Sequence, residues 1–320
     1  MATAKSTDAS MLRPKRRWLS YSLRALFAVV TVVCVWMAFV TNRAHRQERA
    51  VARIDELGGH VLFDYEIDEL DQLINNGKPW APAWARSVLG EEYFRRVRTV
   101  VLRGCSPTPD DLDLLSDVPG VSRLLLREDP SVTDDSLRHL AGAKNLRILD
   151  LISTSVEGPG LQHIAPLHRL EELWIGRTPL TDEGMRYIAQ MRGLKLLYLS
   201  DTNVTDAGLA NLSALTSLER LQISGTAVTD KGLAPLANLT NLRALDLDRT
   251  GIQGSGLRHI AQLRNLEELW LDMTHLTDEN LEHLTKLSSL KTLSVYQTEV
   301  TDAGVAELQK ALPACKISWK

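Results

Sequence analysis

Cysteine is scarce: three residues in 320, at Cys34, Cys105 and Cys315. Cys34 falls inside an apolar run. In a stack of strands about 4.8 Å apart, Cys105 and Cys315 would lie about 40 Å from each other, beyond the reach of a disulfide. That argues against a disulfide-stapled secreted module. Aromatic residues are also few, at 5%, which disfavours one large aromatic core and suits many small layers of Leu. Catalytic wording is missing as well. The chain contains no H-E-x-x-H, no phosphate-cradling G-x-x-x-x-G-K-[ST] and no G-x-S-x-G elbow. Four histidines, His139, His163, His259 and His283, share one slot of a repeat. Equivalent points on neighbouring helices are roughly 8 to 10 Å apart, too far for two imidazoles to share a zinc. The expectation is a protein with no enzymatic chemistry, no cofactor and no metal.

What the chain does contain is a repeat of about 24 residues, with starts at Val97, Val121, Leu146, Leu170, Leu194, Leu218, Leu242, Leu266 and Leu290. The unit reads L-x-x-L-x-L-x-x-T-x-V/L/I, followed in six units by Thr-Asp. Leu at the first, fourth and sixth slots faces inward, as in Leu218, Leu221 and Ile223. A returning stripe at i, i+3, i+6 closes the layer, as in Leu233, Leu236 and Leu239. Thr at the ninth slot, from Thr154 to Thr298, is expected to hydrogen-bond turn groups that would otherwise be buried unpaired. Thr and Asp together suit a helix start. This wording resembles the leucine-rich repeat superfamily, and V-T-D-x-G-L is similar to its cysteine-containing subtype, found in F-box substrate receptors. The resemblance covers Val97 to Trp319. It implies an α/β solenoid, a horseshoe with a parallel sheet on the concave face and helices on the convex face, that recognises protein partners. No F-box-like segment stands in front, which leaves a substrate-receptor subunit of a larger complex as a weaker alternative.

Charge is uneven along the chain. Met1 to Arg53 carries ten Lys or Arg against two acidic residues, a balance of +8, so the net charge of −3 leaves −11 for the remainder. An acidic repeat domain repels phosphate backbones, and no nucleic acid is expected as a partner. Lys15-Arg-Arg17 precedes Trp18, and from Leu19 to Val40 the only charge is Arg24. Those residues would span about 33 Å as a helix, enough for a bilayer core. A signal peptide shares the basic start and apolar stretch, but no convincing A-x-A site follows Val40. The reading is a single-pass anchor in a cell membrane, with a cytoplasmic N-terminus and extracytoplasmic repeats. The anchor together with Leu57-Gly-Gly-His60 looks like families of membrane-attached bacterial repeat proteins. The expected organisation is a basic tail at 1–18, a membrane helix at 19–41, a juxtamembrane helix and cap at 42–96, and nine repeats plus a terminal strand at 97–320. Within the cap, Gly58-Gly59 is expected to end the first helix, His60 to Tyr65 to pair with the first repeat strand, and Trp84 to Phe94 to form a second helix. Trp80 and Trp84 are then assigned to packing.

Outward strand slots carry the candidate binding residues. Along the fifth slot stand Asp150, Trp174, Tyr198, Asp246 and Trp270, and along the seventh Asp248, Asp272 and Tyr296. Large amphipathic rings anchor interfaces, but they also cover neighbouring apolar surface, and both readings stand. Asp246 should sit beside Trp270 and Asp248 beside Asp272, one strand spacing apart. Solvent screening, a Lys or Arg from a partner, or a divalent cation would each relieve the repulsion. The partner expected is a protein or peptide with a basic segment. A self-assembling structural protein is the alternative, with an edge left open by the last strand.

Overall fold

The computed structural model describes residues 23–67, 74 and 77–320. Two compact units are distinguished, Met1–Ala44 and His45–Lys320. Trp18, the basic tail and the start of the expected membrane span at Leu19 lie outside the described residues.

A continuous helix, α1 (Leu23–Glu56), contributes to both units. In the first unit its large apolar side chains from Leu26 to Phe39 are all exposed. The stretch Ala25–Glu56 is long and apolar enough to cross a membrane by length and composition. Beyond Ala44 the character of the same helix changes. Ala50 and Ile54 are buried in the core of the second unit, and Arg53 Nε donates to Asp111 Oδ1 at 2.7 Å. Gly58, with φ of 81°, ends α1, and the amide of Gly59 returns to the Ile54 carbonyl at 2.9 Å. This is the expected glycine stop, since an L side chain is strained at that φ.

The strand that follows, β1 (His60–Phe63), is shorter than expected and antiparallel to β2 (Val97–Val101), with a bulge between Leu62 and Phe63. From β2 onward every pairing is parallel and strictly sequential: β3 (Arg123–Leu125), β4 (Ile148–Asp150), β5 (Glu172–Trp174), β6 (Leu196–Tyr198), β7 (Arg220–Gln222), β8 (Ala244–Asp246), β9 (Glu268–Trp270), β10 (Thr292–Ser294) and β11 (Lys316–Ser318). Register follows the repeat. Leu173, Leu197, Leu221, Leu245, Leu269 and Leu293 are Cα partners in turn, and all are fully buried. Each repeat carries a Leu stripe that it can bury only against the next, and sequential parallel stacking is the arrangement that does so.

Behind the sheet the chain returns through short pieces. They are α-helical turns such as Asp182–Ile188 and Asp302–Ala311, or 3-10 runs such as Asp230–Asn238. A unit of about 24 residues, after its strand and turn, leaves room for two or three turns and no more. Leu233, Leu236 and Leu239 are fully buried there, as their spacing requires.

Two polar devices hold the layers. At the ninth slot each Thr hydroxyl donates to the carbonyl three residues earlier. The distance is 2.7 Å for Thr154, Thr178, Thr202, Thr226 and Thr298 and 2.6 Å for Thr250 and Thr274. One residue earlier, the eighth slot lies in the left-handed region in all nine repeats, from Gly104 through Glu128, Ser153, Arg177, Asp201, Gly225, Arg249 and Met273 to Gln297. Only two of the nine are glycine, so residue type at this slot does not betray the conformation.

The second device lies at the Thr-Asp step. The carboxylate of Asp206 accepts from the amide of Thr229 (2.7 Å) and its hydroxyl (2.6 Å), both in the following repeat. Asp182 grips Thr205 and Asp278 grips Thr301 in the same way. Asp134 and Asp230 reach instead to amides around Gly160 and Gly256. The Thr-Asp pair starts the returning piece as expected, with Thr205 as N-cap and Asp206 in the first turn, and the carboxylate is in addition engaged by the neighbouring repeat. The Gly three positions after each gripped Thr has the same origin. A Cβ built on Gly232 would stand 2.5 Å from Asp206 Oδ1.

The cap departs from expectation in two respects. Trp84 to Phe94 is not one helix: α2 (Ala83–Leu89) stops at Gly90, whose φ is 95°, and a single 3-10 turn, Glu91–Tyr93, follows. Trp80 and Trp84 do not pack inward. They are 75% and 70% exposed, while the small side chains Ala81 and Ala85 take the buried positions.

Candidate functional site on the outward sheet face

Strand alternation sends slots three, five and seven away from the Leu core. Trp174 and Tyr198, register partners on β5 and β6, meet with ring centroids 5.6 Å apart and planes tilted by 30°. Trp174 Nε1 donates to Glu172 Oε2 at 3.1 Å. Gly176, in the seventh slot, leaves the room that the Tyr198 ring occupies, since a Cβ there would overlap the ring. Both rings are half-buried, and the pair forms a low platform on the strands.

Toward the C-terminal repeats the face becomes acidic. Asp246 and Trp270 are Cα partners, as slot counting predicts. The carboxylates are then linked by backbone amides. Asp246 Oδ1 accepts from the Asp248 amide at 3.0 Å, Asp248 Oδ1 from the Asp272 amide at 2.7 Å, and Asp272 Oδ1 from the Tyr296 amide at 2.7 Å. Main-chain N–H groups thus supply a compensation distinct from solvent, a partner's cation or a metal. It is only partial. Burial pushes the Asp248 carboxyl up to about 6, against the Asp272 amide, and the charges of Asp246 and Asp272 add to the rise. Burial also raises Asp246. Tyr296, 41% exposed, closes the ladder, with Met273 exposed beside it.

Asp150 does not belong to this surface. It is buried, with Leu125 and Trp174 as its register partners. Its Oδ1 accepts from the Ile152 amide at 3.0 Å and its Oδ2 pairs with Arg127 at 3.0 Å. Bulky neighbours on both sides and an internal cation make it part of the scaffold. The structure thus gathers Asp246, Asp248, Trp270, Asp272 and Tyr296 at one end of the face and Trp174 with Tyr198 further back.

Between the two groups runs a charged bridge that slot alternation does not reveal. Arg249 Nη2 pairs with Asp201 Oδ1 at 3.0 Å and donates to Ser224 Oγ at 3.3 Å. The bridge skips a repeat and passes over Gly225, where any Cβ would collide with the Asp201 carboxylate. Stacking the eighth slots into a column, Arg177, Asp201, Gly225, Arg249, is the signal that finds it. Glu268 is similarly engaged by Arg220 at 3.7 Å, across Ala244. Among the described residues, no group of three or more His, Cys, Asp or Glu is arranged to hold a metal ion.

The Leucine Rich repeat family model matches residues 214–237 and 238–261, two adjacent repeats beneath this face. Among solved structures, an internalin C2 of Listeria monocytogenes is similar at 24% identity and a TM-score of 0.53, covering 67% of this chain and 84% of its own. A leucine-rich repeat protein of Leptospira interrogans is similar at 20% and 0.52, covering 68% and 59%. An internalin, inlF, of Listeria monocytogenes is similar at 18% and 0.50, covering 73% and 92%. These likenesses show the leucine-rich repeat fold. No curated protein matches the chain.

Proposed function

We propose that this leucine-rich repeat protein is a membrane-anchored binding module. The outward face of its sheet captures a protein or peptide bearing a basic segment, and the chain performs no chemistry of its own. The observation that carries this is the carboxylate ladder. Asp246, Asp248 and Asp272 hold negative charge in a half-buried place beside Trp270 and Tyr296, and burial raises Asp246 and Asp248. A Lys or Arg arriving there relieves the repulsion and is held by desolvated carboxylates, with aromatic surface to pack its stem. The Asp201–Arg249 bridge fixes the near wall of the site, and the Trp174–Tyr198 platform extends it.

Cross-linking in native membranes, with identification of what is attached, names the partner. A Trp270→Ala/Asp272→Asn double variant is expected to weaken capture of that partner at least about tenfold, because an aromatic anchor and a charge are both removed. The Asp272→Asn change keeps an acceptor for the Tyr296 amide, so the ladder's geometry is retained. Equal recovery of the same partners by the double variant would show the site is misplaced.

Anchoring rests on α1, whose large apolar side chains from Leu26 to Phe39 are exposed and whose length and hydropathy suit a bilayer. The basic bias before the apolar run orients the N-terminus to the cytoplasm and the repeats outward. Protease added to intact cells is expected to remove the repeats; survival of that domain would reverse the orientation.

A further inference from the structure

The signs of the charges on the outward sheet face are arranged about the middle of the stack. Counting repeats from Val97, set the first opposite the eighth, the second opposite the seventh and the fourth opposite the fifth. In slot seven Arg103 then faces Asp272 and Arg127 faces Asp248. In slot eight Glu128 faces Arg249 and Arg177 faces Asp201. At the margin of the face slot two alternates in sign through Arg147, Glu171, Lys195 and Glu219, so its charges also meet their opposites. Slots three and five bring no two charges together, and among the described residues no like-charged pair is opposed in any of these slots. The register is specific. A slip of one repeat sets Asp150 against Asp246 and Arg147 against Arg243; a slip the other way sets Arg147 against Lys195.

We propose that the partner of this face is a second copy of the chain, packed face to face about a two-fold axis that lies between the fourth and fifth repeats, parallel to the strands. The inference rests on the reading of the face as a capture surface and names what it captures. A two-fold interface uses one patch on both copies, so each complementary pair occurs twice. The basic segment that the carboxylate ladder takes is then the first two repeats of the other copy. Arg103 and Arg127 pair within their own copy with Glu128 and Asp150, yet their side chains stay 58% and 38% exposed and can take a second carboxylate. The axis falls at the half-buried Trp174–Tyr198 pair, so Trp174 of one copy opposes Tyr198 of the other. Rings at the centre with charge pairs toward the ends match the usual plan of an apolar centre and a polar rim. Any cation suits the ladder alone; the match of sign along the whole face, in one register, is what points to a second copy.

Sedimentation velocity of the full chain in dodecyl maltoside tests this. Wild type is expected to form a dimer whose dissociation constant rises at least about tenfold between about 0.1 and 0.5 M NaCl. Arg103→Glu alone and Asp272→Lys alone are each expected to weaken the dimer at least about tenfold, since each sets like charges opposite one another twice. An equimolar mixture of the two variants is expected to recover wild-type association, because every opposed pair is then complementary. Arg103→Lys keeps the charge, and carbodiimide is expected to join the new amine to Asp272. Those positions lie seven strands apart within one copy, about 34 Å, so the link forms only between copies. A monomeric wild type, a dimer indifferent to salt and to both reversals, a mixture that stays monomeric while both variants melt as wild type does, or the absence of the 103–272 link overturns the inference. A monomer that still captures another protein through Trp270 and Asp272 removes only this inference. If Trp270→Ala/Asp272→Asn alters neither self-association nor the capture of any other protein, the capture surface itself is removed.

Discussion

Asp206→Ala is expected to destabilise the repeat domain by about 2–3 kcal/mol, read as a shift of the urea midpoint at constant slope. The carboxylate accepts from both the amide and the hydroxyl of Thr229 in the next repeat, at 2.7 and 2.6 Å, and hydrogen bonds to a charged acceptor are the stronger kind. Its removal also strands a part-buried N–H. Because a solenoid's stability is a sum of repeat terms and interfaces between neighbours, the loss falls on one mid-stack interface. Gly232→Ala alone should lose about 1–3 kcal/mol, since its Cβ would stand 2.5 Å from Asp206 Oδ1. Combined, the two changes should lose about 1 kcal/mol less than their sum, because truncating the Asp206 side chain vacates the space the new methyl needs. Strict additivity would show that the glycine is there for another reason.

Asp248→Asn is expected to stabilise the protein at pH 7.5 by about 1–2 kcal/mol and to change little at pH 4. The folded carboxyl sits at about 6 against an ordinary 3.8, so the native state holds the proton more tightly than the unfolded chain. Stability is then fully present below about pH 4 and falls as pH rises toward 6, because the native state must carry a half-buried charge. The full difference corresponds to at most about 3 kcal/mol, reduced by the partial exposure of the group. The amide variant keeps an acceptor for the Asp272 N–H and carries no charge, so it escapes this fall. Asp246, also raised by burial, continues to contribute in the variant. Melting temperatures at the two pH values decide the matter, and an equal shift at both would refute the electrostatic cause. If the ladder captures a basic segment, the stabilised variant should bind that partner less well, the usual relation between stored strain and function.

How much of this can be read without coordinates depends on how far a residue's partner lies along the chain. The spacing of Leu218, Leu221 and Ile223, with the returning Leu233, Leu236 and Leu239, dictates the parallel stack, because each unit has an apolar stripe it cannot bury alone. The ninth-slot threonines are legible for a local reason: their carbonyl partner is three residues away. The glycine stop after α1 and the pairing of β1 with the first repeat strand are legible too. Alternation and repeat length also fix the register of the candidate face, with Asp246 beside Trp270.

Only stacking decides the rest. Whether Asp206 serves its own turn or Thr229 depends on how one repeat is translated over the next. The Asp201–Arg249 bridge depends on a glycine in the repeat between them. Alternation alone points Asp150 outward, yet its neighbours Leu125 and Trp174 and the cation Arg127 turn it into scaffold, because exposure is set by the side chains on adjacent strands. Hydrophobicity alone sends Trp80 and Trp84 inward, but the cap buries Ala81 and Ala85 and leaves both indoles exposed. Periodicity thus determines which residues form each layer; the contacts between layers, through polar groups about 24 residues apart, are chosen by three-dimensional packing, which no local pattern encodes.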